Sequence, residues 1–514
     1  MPVDEIRLGP FVQGLNTFSD PTAIGDTEVS ELINFETDID GSLVNRPPIV
    51  AVGLEVPGAA TFGINVLGFY EGDSGVKYLI ATNRNNSTYY FDGTSWVLIT
   101  NTIAATAIAQ YRSELWLVAG PASANPGGKW SPGGGFVADA NMPKGGCAVA
   151  HKDRVWIGPG ATAVSNGARL YLSSIVSGAV NWPAVPNFLQ IGAGDGQNIV
   201  DIGIYYESLL IFKQGSTYRY SFTGDPSLGV ISRVSDNVGA ISKGCFASYK
   251  NEIYVLFDNT VYQFSSYNYQ ELNMKVPLVA NNPAANLAEQ TSISVWADRI
   301  FVQYYDVTYV YNLNTRTWSK WESVSVDFMG RFWAIPGQQG TTPTAYTYRT
   351  AKTGYLGLFR CIDAITSASE EITCKVVTKN YDYQSPNRFK RLLSWGVDVI
   401  SKVQIEGKVI PVTYATAVTW DQLKNSGVTW EYLKTNGFTW DRPLDFSVVI
   451  ADSVPTAGSG TGRKYVKFLK SIRFRQVSFE LSAVTMGDSG TAPLRVFNII
   501  TRVSEKSNTS KKIS

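Results

Sequence analysis

Chemistry in this chain has few residues to draw on. Its 514 residues include one histidine, His151, and four cysteines, Cys147, Cys245, Cys361 and Cys374. A Ser-His-Asp or Cys-His nucleophile would have to pass through His151. That residue opens a recurring strand motif, "HKDRVWIGP", where a structural role is expected. The cysteines form no CxxC pair and, with one histidine, supply no metal-ligand set. Cys361 and Cys374 could face each other across a hairpin, with buried thiols the plainer expectation. "GAGDGQN" (residues 192–198) has the glycines of an ion-binding loop but not the calcium-loop spacing, so a loop between repeats is expected. In "GPASANPGGKWSPGGGF" (residues 120–136) the lysine is not followed by Ser or Thr, which excludes a P-loop. The acids of "DNTVYQF" and "DVTYVYN" sit at hairpin turns, where Asp serves the backbone. A carboxylate pair of glycosidase type stays open, although surface acids are too common for the sequence to single one out. No catalytic set, cofactor site or metal site emerges.

The most regular stretch is aromatic. In "AVTWDQLKNSGVTWEYLKTNGFTWDRP" (residues 417–443), Trp420, Trp430 and Trp440 stand ten residues apart, each between a threonine and an acid. With Thr419 as N-cap, Gln422 completes a capping box, Asp421 lies in the first turn and Val418 can staple to Leu423. Gly427 ends the unit, and Val428, Thr429, Glu431, Leu433 and Gly437 repeat it, with Tyr432 breaking the box. Helices this short must pack on something. Three surfaces remain open: the end of the chain's own domain, a neighbouring subunit, or a stacked sugar. Candidate contact residues are Trp420, Trp430, Trp440, Leu423 and Leu433 here, with Phe18 and Phe35 near the N-terminus.

Composition narrows the class. Lys and Arg total 44 against 43 Asp and Glu, so a net charge of +1 provides no field to hold a polyanion. A 44% hydrophobic content indicates a folded chain, and no apolar run of about 18 residues is long enough to span a bilayer. "MPVDEIRLGPFVQG" shows no secretion signal, so synthesis and residence in a cytoplasm are expected.

The elements that must position these residues are strands. "YRSELWLVA" (111–119), "HKDRVWIGP" (151–159), "YYESLLIFK" (205–213), "YKNEIYVLF" (249–257) and "WADRIFVQY" (296–304) share one form: an aromatic or His, a polar turn, then an apolar run. The runs begin at Leu115, Val155, Leu209, Ile253 and Ile300, at intervals of 40, 54, 44 and 47 residues. Such spacing, filled with short strands and Asp/Asn turns such as Asp92-Gly93, is that of β-propeller blades. The expected fold is all-β: a propeller of six or seven blades over residues 51–360, preceded by an extended arm over 1–50. In the arm, "DTEVSELINF" (26–35) hints at a helical turn capped by Thr27. A β-sandwich-like domain is expected over 361–506, where strands alternate at period two, with the Trp repeats inserted at 417–443 and a polar tail at 507–514.

The arm "GLNTFSDPTAIGDTEVSELINFETDIDGSLVNRPP" and the stretch "LLIFKQGSTYRYSFTGDPSLGVISRVSDNVGAISKGCFASYKNEIYVLFDNTVYQF" (209–264) resemble virion proteins of tailed bacteriophages. The nearest in architecture is the tail-nozzle, or packaged-DNA stabilisation, family of short-tailed phages. "TKNYDYQSPNRFKR" and the TW(D/E) repeats are also similar to phage proteins. The resemblance rests on structural motifs. It implies no enzymatic activity and no cofactor. It implies a ring, of six copies in the short-tailed case, that extends the portal channel and contacts portal, adaptor and tail proteins. Genomic double-stranded DNA would pass through without sequence-specific binding, and the chain would reside in the virion tail. Two further readings stay open: a receptor- or glycan-binding propeller, and a polysaccharide depolymerase.

Overall fold

A computed structural model describes residues 4–51, 56–58, 64–73, 75–83, 85–161, 166–176, 178–265, 268–280, 291–305, 307–322, 332–335, 344–350, 356–361, 371–383, 390–401, 403, 405–412, 450–454, 464–468, 472–486 and 494–505. The fold is all-β, and the one helical segment among the described residues is a 3-10 turn, Pro226–Leu228. The chain divides into two compact units, one of Pro47–Ile372 with Met486–Ser489, the other of Met1–Arg46, Thr373–Thr485 and Gly490–Ser514.

The larger unit is a propeller of seven four-stranded antiparallel blades. Blade 1 comprises Ile64–Glu71, Lys77–Asn83, Thr88–Phe91 and Trp96–Thr100. Blade 2 comprises Ala105–Tyr111, Glu114–Ala119, Gly128–Ser131 and Gly135–Ala138. Blade 3 is built from Cys147–His151, Arg154–Gly158, Arg169–Leu172 and Asn187–Gln190, and blade 4 from Ile199–Tyr205, Ser208–Lys213, Thr217–Ser221 and Val230–Ser235. Blade 5 is Phe246–Tyr249, Glu252–Phe257, Thr260–Ser265 and Asn268–Glu271; blade 6 is Thr291–Trp296, Arg299–Tyr304, Val307–Asn312 and Thr317–Trp321. Blade 7 takes Phe332–Ile335, Thr344–Thr350 and Leu356–Cys361 from the end of the unit and its outer strand, Ile49–Ala51, from the beginning. The closing strand runs antiparallel, with Ile49 opposite Cys361 and Ala51 opposite Phe359. First strands touch first strands from blade to blade, and that of blade 7 returns to that of blade 1, so the ring closes.

Between blades the packing is apolar. Blades 1 and 2 share Tyr70, Ile80, Ile103, Leu115, Leu117 and Trp130. Blades 3 and 4 bury Trp156, Leu170, Ile202, Leu209, Ile211 and Tyr220. The interval of 54 residues between Val155 and Leu209 has a local cause, the extra hairpin Ser174–Val176/Ala179–Asn181 inserted in blade 3.

The described residues of the second unit form two sheets that are antiparallel except where Gly14–Leu15 runs parallel to Glu28–Ile33. One follows the order Phe35–Thr37, Leu43–Asn45, Arg495–Glu505, Lys390–Ile400, Lys464–Phe468, with Asp4–Leu8 added to Arg495–Glu505. The other contains Glu28–Ile33, Glu371–Thr378, Gln476–Met486, Ile405–Val412 and Ile450–Val454 in that order. Trp395 of the first sheet meets Phe479 of the second at 5.1 Å between ring centroids, inside a core that includes Leu32, Val376, Val397 and Ile499.

Two expectations change here. Residues 1–46 are not a separate arm: Asp4 pairs with Val503 and Val29 with Thr378, so the segment supplies strands to the C-terminal unit. Nor is "DTEVSELINF" helical, since Glu28–Ile33 is a strand. A register shift between Val29 and Glu31 puts Val29 and Leu32 both fully inside, a three-residue spacing that mimics a helix. The opening acid is held by Asn16 Nδ2 and the Gly25 amide, which donate to Glu28 Oε2 at 2.9 and 2.7 Å.

Candidate functional site

The repeated sequence motif is the hairpin between the first and second strands of blades 2 to 6. Its aromatic or His ends the first strand, and the next two residues form the turn. Arg112, Lys152, Tyr206, Lys250 and Ala297 open these turns with φ between 47 and 52°, and Asp153, Asn251 and Asp298 follow with φ of 59 to 66°. The motif's polar groups bond from one blade to the next. Tyr111 Oη donates to Asp153 Oδ1 at 3.3 Å, and Lys152 Nζ pairs with Glu207 at 3.5 Å. Tyr249 Oη and Lys250 Nζ both donate to Asp298 Oδ1 at 2.6 Å. These two bonds, Lys250 foremost, hold Asp298 below the usual carboxylate range.

His151 belongs to this stitching. Its Nε2 lies 3.3 Å from the Glu207 carbonyl and its ring stands edge-on to Phe222. Burial lowers its pKa, and the Glu207 carbonyl offsets this only in part. The ring is therefore neutral at pH 7 and donates to a main-chain oxygen.

The glycine-rich loop 192–198 binds a cation supplied by the chain itself. Lys213, whose side chain has no exposed surface, places Nζ 2.5 and 2.7 Å from the two Asp195 oxygens, 3.0 Å from the Ile191 carbonyl and 3.2 Å from that of Gly192. Gly192, Gly194 and Gly196 all have positive φ, which lets the loop curl around the ammonium. Desolvation would raise the Asp195 pKa, but the Lys213 bond, with the Gln197 amide and Tyr218 hydroxyl, brings it below the ordinary value. The nearby Val238-Gly239 pair also has a geometric cause. A Cβ on Gly239 would lie 2.3 Å from the Lys213 carbonyl oxygen and 2.7 Å from the amides of Gly215 and Ser216. The chain docks there through Ala240 N–H to Lys213 O, 2.8 Å, and Thr217 Oγ1 to Val238 O, 2.8 Å.

Cys147, Cys245 and Cys374 are buried thiols. Burial raises the Cys147 thiol and lifts that of Cys374 to about 12, which leaves neither a thiolate nucleophile. The Cys361 side chain lies outside the described residues. Asp258 adopts φ 59° in its hairpin, the backbone role expected of it. Of the candidate contact residues, Phe18 is 72% exposed, whereas Phe35 is 1% exposed and packed inside its own unit, so it offers no surface to a partner. Trp420, Trp430, Trp440, Leu423 and Leu433 lie outside the described residues.

Among the described residues a cleft of about 400 Å³ lies between blades 5 and 6. Tyr254 and Tyr311, both buried, lie at its base. Lys250, Glu252, Asp298 and Arg316 are its charged groups, and Gln263, Gln270 and Asn314 its amides. Tyr254 Oη donates to Glu252 Oε2 at 2.6 Å, and desolvation together with that bond pushes the phenol far above its usual range. Sequence reading missed this site, although blade 5 carries a signal: Tyr254 is in register with Gln263, and Gln263 with Gln270, giving a polar row across three strands. Among the described residues no group of three or more His, Cys, Asp or Glu could hold a metal ion.

No protein-family model matches the chain, and no curated protein does. Solved structures that resemble it include the Neurospora crassa Pan2 WD40 domain, at 9% identity over 62% of this chain and 95% of that one, with a TM-score of 0.40. YCF48 from Cyanidioschyzon merolae matches at 10% identity over 61% of this chain and 98% of its own, TM-score 0.38. BBS1N in complex with ARL6DN matches at 12% identity over 62% and 98%, TM-score 0.40. The likeness concerns fold, and no activity or partner is carried over from it.

Proposed function

We propose that this chain is a structural virion protein of a tailed bacteriophage, a ring-forming tail nozzle or hub component that extends or seals the DNA channel below the portal. It acts through shape and assembly rather than catalysis. The observation that carries the reading is the distribution of exposed apolar surface. Eight of the eighteen large apolar side chains exposed among the described residues fall between Val176 and Ile231, on blades 3 and 4. Val185, Leu228 and Val230 are each at least 68% exposed, and Val230–Ser235 is the outer strand of blade 4, with no strand beyond it among the described residues. Leu228, Val230 and Ile231 bring exposed apolar side chains to that outer strand, the kind of surface that another protein covers. The phage-like sequence stretches and the near-neutral charge, which suits a wall that DNA slides along, support the same reading.

The partners under this proposal are further copies of the chain, in a ring of six, together with portal, adaptor and tail proteins. Double-stranded DNA passes without sequence-specific contact. No helix among the described residues is long and apolar enough to cross a membrane. The test is electron microscopy of purified virions carrying an antibody-accessible tag on this chain, alongside light scattering of the Leu228→Asp/Val230→Lys variant. Label on the tail axis and a variant that fails to join tails support the proposal. Label at the tail periphery, or unimpaired incorporation of the variant, refutes it.

A further inference from the structure

The cleft between blades 5 and 6 has a chemistry that points to a ligand of its own. Its two cations, Lys250 and Arg316, are matched by two anions, Glu252 and Asp298. Lys250 is already neutralised by Asp298 at 2.6 Å. A phosphate or a metal ion therefore gains no net field by entering. What the cleft does offer is hydrogen-bonding capacity. Among the described residues the side-chain amides of Gln263 and Gln270 and the Arg316 guanidinium hold no hydrogen bond or ion pair, and all three line the recess. Glu252 binds Tyr254 through Oε2, which leaves Oε1 to accept.

These groups are planar and two-pronged. An amide presents a donor beside an acceptor, a guanidinium two parallel donors, a carboxylate two acceptors. Adjacent hydroxyls on a sugar ring present the complementary pairs. Tyrosine rings and Leu272 and Leu313 supply apolar faces for the C–H surface of such a ring. The volume falls within the range of small-ligand sites, roughly 300 to 1,000 Å³.

We infer that the blade 5–6 cleft is a binding site for a neutral oligosaccharide, held by Gln263, Gln270, Glu252 and Arg316. The site lies within the propeller unit and stands whether or not the chain assembles into a ring.

The test is a binding screen of the full chain against immobilised neutral and acidic bacterial-surface oligosaccharides. It is repeated with Gln263→Ala/Gln270→Ala, with Arg316→Ala, and with Lys129→Ala in blade 2 as a control. The expected result is retention of at least one neutral oligosaccharide, weakened about tenfold or more by either cleft variant and unchanged by the control. Gln270 and Arg316 are exposed and Gln263 is half-buried, so these variants should melt close to the wild type, which a thermal scan checks. No retained neutral glycan, equal binding by the cleft variants, or retention only of acidic glycans displaced by inorganic phosphate would each overturn the inference.

Discussion

Replacing Lys213 with methionine tests how the glycine-rich loop is held. The substitution keeps most of the stem and removes the ammonium, so the Asp195 carboxylate and the Ile191 and Gly192 carbonyls lose their donor together. Removing one member of a buried ion pair costs about 3–5 kcal/mol. The low end applies here, because the Asp195 side chain keeps 19% exposure and a hydrogen bond from the Gln197 amide at 2.9 Å. Unfolding entropy is about 2.1 cal/mol/K per residue, so the 326 residues from Pro47 to Ile372 melt with about 0.7 kcal/mol/K. A loss of about 3 kcal/mol then lowers Tm by about 4 °C at pH 7. Asp195 has a depressed folded pKa, so its contribution is complete above the unfolded value of about 3.9 and disappears as the pH falls through the folded one. The gap between wild type and Lys213→Met should therefore narrow below pH 4, and Lys213→Met/Asp195→Asn should recover at least half of the loss. Scanning calorimetry at pH 7 and pH 3.5 decides it. A single variant that melts within 1 °C of wild type at pH 7, or a double variant no better than the single, would refute the ion-pair account.

Four further outcomes are expected. Gly239→Ala forces a Cβ against the Lys213 carbonyl and two amides, all main chain, and should cost about 2–3 kcal/mol in urea unfolding. Ala297→Gly relieves a φ of 48° and should stabilise by about 0.5 kcal/mol, the left-handed penalty less the added freedom of the unfolded chain. Asp298→Ala removes the acceptor shared by Tyr249 and Lys250 and should cost about 1 kcal/mol at pH 7 and less as the pH falls below the unfolded carboxylate value of about 3.9, because a depressed carboxylate stabilises only while ionised. Phe35→Ala should cost about 3–5 kcal/mol, whereas Phe18→Ser should leave the melting temperature in place, because one ring is inside the core and the other is in solvent.

The propeller was legible because its signal is local. Five of the seven blades repeat an aromatic or His, a two-residue turn and an apolar run within about ten residues, and the turn chemistry fixes the hairpin. The stitching was half visible: Tyr249 and Asp298 both stand in the motif, but their bond crosses 49 residues and needs blades 5 and 6 to pack side by side. The N-terminal strands were misread for a related reason. Asp4–Leu8 finds its partner nearly 500 residues away at Ile499 to Val503, and no local pattern announces such a pairing. At Glu28–Ile33 a bulge replaced alternation with helical spacing. The ion-loop appearance of residues 192–198 reflected a real cation cradle, but its occupant, Lys213, could be identified only once the fold brought it there. The cleft stayed hidden because its residues come from five strands and turns that look individually like ordinary solvent-facing positions.

The order of the chain through its two units sets a schedule for synthesis. Both ends of the polypeptide belong to the smaller unit, and the propeller lies between Arg46 and Thr373. On a ribosome adding about 5–20 residues per second, the strands of residues 4–46 emerge roughly 15 to 100 s before their partners in 373–505. Ile49–Ala51 waits almost as long for Leu356–Cys361, since the first strand to be needed for closing the propeller is made before the first blade. Nascent chains must therefore carry unpaired strand edges through most of their translation, and whatever shields those edges in the cell bears on yield as directly as the stability of the finished fold.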